Sequence, residues 1–494
     1  MDLLRNVPFV CVLLPLIAGI FCAVLPRRGA KLLCFLTVLV LTAANAFSFL
    51  RFFSGAVPFT YPMGHFPGPW GNELRSGLLE SAMAMCLCVT AFLSLWAGGG
   101  KAGVHIPRGK QGLYYSVVCL AAASVNALIY TNDLFTGYVF IEISTIAAGA
   151  LILSRQDGLC LSGCARYLVM NLVGSGLCLM GIAMLYGQTG HLNIDSLRLS
   201  LAPLAESSPL PVSVRTVIVL LTVGLGIKSG LFPFHSWIPD AYSYSTPASG
   251  ALLSSFISKG YIFLLIKVVV RVFGLDMIRA SGVCPVIFAF GAAGIIMGSV
   301  SATRQTDIRR MVAFSSVAQI GYIYMGIGMC TRESLIAALF HMAVHSFAKS
   351  MLFSSAASLI ASSGDRAQME SLAGSGRRNA PAGVAFTAGA MSLTGVPLLG
   401  GFLSKIYLSQ AAIAVDTFHA VAVLLTLALS TFLQTVYFLH TVVNIYRPAD
   451  KNVHAEKQSV LSGAALCVMT LLNILLGTAS VPLYRALASG FMQF

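Results

Sequence analysis

A chain of 494 residues in which 57% are apolar and only 10% charged is not a soluble globular protein, where about a quarter of the residues carry charge. It has the balance of a polytopic membrane protein. The net charge of +14 does not point to nucleic acid, because no Lys/Arg run is interleaved with aromatics and the positive residues gather in polar joints.

Apolar stretches long enough to cross a hydrocarbon core of about 30 Å recur along the whole length, and about fourteen are expected. Twelve cysteines are scattered through them, and the close spacings Cys86-x-Cys88 and Cys160-x3-Cys164 resemble neither a zinc nor an iron–sulfur framework. They read as small apolar fillers. No G-x-G-x-x-G and no Walker-type loop is present, so no nucleotide, cofactor or metal site is expected, and any redox chemistry belongs to other chains.

The first three spans run about Val7–Leu25, Leu32–Phe53 and Leu78–Leu95, and together read as a peripheral scaffold. Phe9–Leu25 has the length of a signal peptide, but its positive cluster follows the apolar run, so it reads as a retained helix. Ser54–Gly77, rich in Pro, Gly and aromatics, reads as an ordered external loop with Tyr61 and Trp70 at the membrane interface. Glu80 is placed at that interface.

Spans four and five cover about Leu113–Tyr130 and Leu134–Leu153. Glu142 lies eight residues into the fifth, deep enough that an ionic partner is expected rather than a purely structural hydrogen bond to a neighbouring helix. Span six, about Cys164–Tyr186, is followed by the polar connection Gly187–Pro211. Span seven, about Val212–His235, carries Lys228 and is expected to break near Pro233, where a proline removes a backbone bond and clashes with the preceding turn. Span eight starts near Ala241, is loosened around Thr246–Gly250 and carries Lys259, with Lys267 near its end expected to snorkel.

Spans nine and ten, about Pro285–Thr303 and Arg310–Cys330, are joined by the charged turn Arg304–Arg310. Span eleven, about Ser334–Ile360, holds His341, His345 and Lys349 at steps of four residues, on one stripe about 80° wide. Such a stripe can ligate a metal, pack against polar neighbours or relay protons; no carboxylate joins it and no H-E-x-x-H is present, which favours the relay. Span twelve, about Ala382–Ala412, is interrupted at Pro397 and followed by Lys405. Spans thirteen and fourteen, about Thr417–Tyr446 and Val460–Tyr484, close the chain.

Ionisable groups at membrane depth are costly and by default mark a path for charge. Two interrupted spans, each with a lysine beside its proline, suggest an inverted repeat: spans four to eight (residues 111–272) and nine to thirteen (residues 283–446), with residues 1–110 before them and 459–494 after. Lys and Arg number seventeen in the odd-numbered loops and seven in the even-numbered ones, so the odd loops are expected in the cytoplasm and both termini outside a cell (inner) membrane.

GIKSGLFPFHSWIPDAYSYSTPASGALLSS, RQTDIRRMVAFSSVAQIGYIYMGIG and SLTGVPLLGGFLSK resemble the antiporter-like membrane subunits shared by respiratory complex I, Mrp-type sodium/proton antiporters and energy-converting hydrogenases or formate hydrogenlyases. The resemblance covers about Leu113–Tyr446. It implies that Glu142, Lys228, Lys259 and Lys405 are the buried charges of a proton path, with His341, His345 and Lys349 as its middle stretch. Ser254-Ser255, where some members have His-Ala, and a lysine at 405 make the D-type Mrp subunit the nearest likeness. The resemblance implies a proton-translocating subunit, with sodium as an alternative ion, in a redox-driven complex with further antiporter-like membrane subunits and soluble redox subunits. A stand-alone multi-subunit antiporter and a non-transporting scaffold for a soluble oxidoreductase are the alternatives.

Overall fold

The computed structural model describes residues 2–66, 71–98, 105–205, 209–448 and 459–494. Trp70, and Lys101, Lys451 and Lys457 of the odd-numbered loops, lie outside the described residues. The described chain is almost entirely helical, with one short antiparallel hairpin of β1 (Phe59–Pro62) and β2 (Glu73–Ser76) in the connection read as an external loop.

The helices in order are α1 (Asp2–Val24), α2 (Arg27–Phe53), α3 (Leu78–Gly98), α4 (Gln111–Tyr130), α5 (Leu134–Leu153) and α6 (Gly158–Thr189). A short α7 (Ile194–Ala205) lies inside the expected polar connection, followed by α8 (Val212–Ser229) and α9 (Ile238–Tyr244). Next comes a run of α10 (Pro247–Leu252), a π-turn at Leu253–Ile257, α11 (Ser258–Lys267) and a second π-turn at Val268–Phe273. The second half holds α12 (Leu275–Ala280), α13 (Val283–Thr303), α14 (Ile308–Gly328), α15 (Arg332–Ala361), α16 (Ser375–Arg378), α17 (Ala380–Thr394), α18 (Gly400–Val415), α19 (Thr417–Tyr446), α20 (Val460–Thr478) and α21 (Ser480–Met492).

Among the described residues twelve helical spans are long and apolar enough to cross a membrane. The stretches from Pro247 to Phe273 and from Ala380 to Val415 are built of shorter pieces and stand outside that set. Polar residues punctuate the bundle where a helix must start. Asp133, Asp157, Asp307 and Asp416 each accept a backbone N–H of the first turn, and Thr331 closes a capping box with Ser334.

Helix α15 is the axis of the bundle, buried along its whole apolar window and packed by α14, α17, α18, α3 and α20. Helix α3 is not peripheral: it packs on α15, α20 and α21, and only α1 and α2 of the first three present wide apolar faces outward. Helices α13 and α14 approach through glycine, since a Cβ on Gly291 would stand 2.5 Å from Met325 N. Close backbone contact through small residues is how membrane helices gain packing without a hydrophobic driving force.

Both expected interruptions are present, and both begin at a glycine rather than at the proline. Helix α8 ends at Gly230 (φ 82°) and α17 at Gly395 (φ 96°), each in the left-handed region where glycine has no steric penalty. Pro233 and Pro397 then lie inside the broken segments. The last span also differs from expectation. It divides at Ala479 into α20 and α21, and near that division Gly477 packs on the second break so closely that a Cβ there would stand 2.1 Å from Leu398 O.

Candidate proton path

Lys228 occupies the last turn of α8, fully buried, and its ammonium donates to Thr145 Oγ1 on α5 at 2.8 Å. The ring of Tyr261, on α11, lies 5.6 Å from the ammonium. Glu142 sits one turn before Thr145 and interacts electrostatically with Lys228, but the two make no ion pair within 4 Å, and Glu142 Oε1 is buried without a hydrogen-bond partner among the described residues. The pair expected from the sequence is therefore open, with Thr145 holding the lysine.

Lys259, on α11, is fully buried and donates to Ser258 Oγ at 3.2 Å and to the Ser254 carbonyl. The loosening expected at Thr246–Gly250 appears at its first residue, where extended Thr246 accepts from Ser249 N and caps α10, and a π-turn follows at Leu253–Ile257. A π-turn widens the helix and leaves carbonyls available to side chains, a feature common at functional sites. Here the freed acceptor is Ser254, whose hydroxyl pairs with Ser316 of α14 at 3.1 Å.

His341, His345 and Lys349 fall on one face of α15, all buried. The two imidazoles stack with centroids 6.3 Å apart. His341 Nδ1 meets Ser404 Oγ at 2.9 Å, whereas its Nε2 and both ring nitrogens of His345 have no hydrogen-bond partner among the described residues. Lys349 donates to Val312 O at 2.8 Å and to Ser315 Oγ. Lys259 and Lys405 are close enough to interact electrostatically with His341, as are Lys259 and Lys349 with His345. The stripe thus joins the two lysine sites.

Lys405, on α18, folds back onto the second break and donates to the Thr394 carbonyl at 2.8 Å, to Thr431 Oγ1 at 3.0 Å and to Gln434 Oε1 at 3.4 Å. A cation at the carbonyl end of α17 matches the negative end of the helix dipole. The Tyr322 ring lies 5.6 Å from the ammonium and, tilted, 5.2 Å from the His341 ring, and its hydroxyl donates to Ser430 at 2.7 Å. Leu398, beside Pro397, holds a φ of 72°, a strained conformation for a residue with a Cβ and one that recurs at functional sites.

The residues singled out from the sequence thus lie in the interior on α5, α8, α11, α15 and α18, with Lys259 and Lys405 in electrostatic reach of the α15 imidazoles. The sequence reading missed a second buried cluster. Lys267 does not snorkel: it is fully buried and donates to the carbonyls of Ile129 and, at 2.8 Å, Thr131. Arg271, equally buried, donates to Asn132 at 2.8 Å and pairs with Asp195 of α7. Glu80, in the first turn of α3, is buried within the protein 3.7 Å from Arg75 of the hairpin. The missed signal was the repetition of basic residues at 259, 267 and 271, all within one apolar run.

A row of buried amines and imidazoles between two broken helices defines the class: an antiporter-like subunit of a polytopic membrane assembly. Residues 131–431 match the family described as NADH:quinone oxidoreductase/Mrp antiporter, TM, and the chain belongs to that family. It is 33% identical over 453 residues to NADH-quinone oxidoreductase subunit N of Desulforudis audaxviator, covering 89% of this chain and 86% of that one. It is 27% identical over 428 residues to the D-type Na(+)/H(+) antiporter subunit of Bacillus subtilis, covering 86% and 84%. Of these two the N-type relative shares more identity, so identity does not single out the D type. In fold the chain matches a subunit of the membrane-bound sulfane sulfur reductase, an archaeal respiratory membrane complex, with a TM-score of 0.89 at 24% identity over 99% of this chain and 97% of that one. A chain of the Mrp complex from Dietzia sp. gives 0.88 at 22%, with the same coverage.

Proposed function

We propose that the chain is the proton-translocating subunit of a membrane-bound, redox-driven complex, working beside other antiporter-like subunits. The observation that supports this reading is the set of buried basic groups on α8, α11, α15 and α18: Lys228, Lys259, His341, His345, Lys349 and Lys405. Burial disfavours the charged amine and a nearby carboxylate favours it, so a lysine balanced between the two can take up and release protons. With Glu142 close, Lys228 keeps its proton; as the pair opens, the proton passes toward Lys259, then the α15 stripe, then Lys405.

The proposal includes two inverted five-helix repeats over residues 111–272 and 283–446, fourteen spans in all, cytoplasmic odd-numbered loops and both termini outside a cell inner membrane. Similarity to the D-type antiporter relative supports a second reading, a subunit of a stand-alone antiporter with the same path. Co-purification of iron–sulfur or nickel–iron chains separates the two. The test of transport is ion flux in sealed vesicles holding the whole assembly. Lys228→Ala is expected to lower proton flux at least about tenfold with the assembly intact, the scale of removing a proton-transfer group. Unchanged flux overturns the reading in favour of a scaffold.

A further inference from the structure

A groove of about 580 Å³ lies on the outward side of α2 and α3, where the start of α20 meets them. Its α2 wall is formed by Arg28, Lys31, Leu32 and Phe35, which fall at helical steps of three and four and so share one face. Phe92 and Trp96 of α3 line the opposite wall. The floor is aromatic: the Phe35 and Phe92 rings stand 4.9 Å apart, and those of Phe92 and Trp96 5.8 Å. Leu32 and, from α20, Leu461 form an exposed apolar rim.

The groove is charged at one end only. Arg28 and Lys31 lie in the first two turns of α2, and Phe35 stands seven residues beyond Arg28, about 10 Å deeper along the helix. Neither Asp nor Glu lines it among the described residues. Arg27 adds a third cation, and the residue before it, Pro26, offers no side-chain acceptor to the helix start. Three cations within five residues, with no acid in the first turn, are the wrong sign for the positive end of a 27-residue helix, so this end favours an anion. Trp96 sits in the last turn of α3, and indole rings favour the headgroup level. An apolar floor alone would suit a lipid tail or a neighbouring helix. Joined to a doubly basic mouth, it matches an amphiphile with a negative head at the membrane surface and hydrocarbon below.

We propose that this groove binds an anionic phospholipid of the bilayer. Arg28 and Lys31 take the phosphate-bearing head, and an acyl chain lies over Phe35 and Phe92 beside Trp96. Basic pockets between membrane helices hold anionic head groups in this way. The site requires only that these helices span a membrane and does not depend on the transport reading. The lipid offsets the cations at the start of α2 and fills the space between α2, α3 and α20, next to the helix, α3, that packs on the α15 axis.

Trp96 is a built-in reporter. The assembled complex is exchanged into phosphatidylcholine vesicles and titrated with phosphatidylglycerol or phosphatidylcholine carrying brominated chains, which quench indole fluorescence on contact. The Trp96 signal is the difference between wild type and Trp96→Phe. Its quenching is expected to saturate at a mole fraction of brominated phosphatidylglycerol at least about tenfold below that of brominated phosphatidylcholine, since each basic residue near the head strengthens binding of an anionic lipid about fivefold. Arg28→Gln is expected to cut this preference about fivefold, and Arg28→Gln with Lys31→Gln to remove it. Arg28 is exposed at a helix end, so the single variant tests the head site even where the double variant fails to assemble. Equal quenching by the two lipids makes the groove a stretch of ordinary lipid contact and overturns the proposal. Absence of quenching by either overturns it in favour of a protein neighbour seated there, and a preference that survives in the variants overturns the assignment of the head to Arg28 and Lys31.

Discussion

The two broken helices invite comparison because they use the same backbone device for different electrostatics. Each ends at a left-handed glycine, Gly230 or Gly395, passes a proline and presents a buried lysine. At the first, Lys228 is held by one hydroxyl with the Glu142 carboxylate in electrostatic reach. At the second, Lys405 is held by a carbonyl, a hydroxyl and an amide, all neutral, and no carboxylate lies within 4 Å among the described residues. A movable carboxylate can bias the first lysine, whereas fixed dipoles set the second. On the proton-path reading, switching belongs to the first break and a constant terminal station to the second.

Removing the terminal station breaks the comparison most severely. Lys405→Ala takes away the amine that Thr394, Thr431 and Gln434 hold, and it leaves those acceptors buried without that donor. Proton flux in vesicles is expected to fall at least about tenfold, as for Lys228→Ala, because the exit station of the proposed path is lost. Flux near wild type from Lys405→Ala would mean that protons leave the path before the second break.

Glu142→Gln keeps shape but removes the switching charge, and a smaller effect is expected. The attraction of opposite unit charges 4 Å apart at an effective dielectric of 20 is about 4 kcal/mol, but Glu142 stands beyond ion-pair distance and is part-buried. Flux is expected to fall severalfold, with the loss appearing in flux coupled to electron transfer more than in flux down an imposed gradient. Equal loss in both assays would make Glu142 a structural acceptor rather than a switch.

The charged members of this comparison were legible in the sequence because intramembrane lysines and glutamates stand out against apolar runs, and helical spacing placed His341, His345 and Lys349 on one face. What the sequence hid was decided by tertiary contact. The proline marked each break, yet a glycine two or three residues earlier ends the helix, because positive φ is set by the path of the chain. Lys267 sat near a helix end, where water is normally close, but the second π-turn continues the helix and the α4–α5 junction covers it.

The finest test makes the second break resemble the first. Gln434→Glu places a carboxylate where Gln434 Oε1 now accepts from Lys405 at 3.4 Å, while the same side chain's Nε2 donates to Ser430 at 2.8 Å and to Tyr322 at 3.3 Å. The substitution gains an ion pair but loses two donated bonds, and Ser430 and Tyr322 can partly compensate by turning their hydroxyls toward the carboxylate. Opposite charge stabilises the ammonium, so proton release from Lys405 should slow. The expected result is a modest, severalfold drop in flux with assembly unaffected, not recovered when Glu142→Gln is added, since Lys405 would keep its new carboxylate while Lys228 lost its own. If Gln434→Glu leaves flux unchanged, the neutrality of the second site is incidental, and the division into a switched lysine and a fixed station is lost.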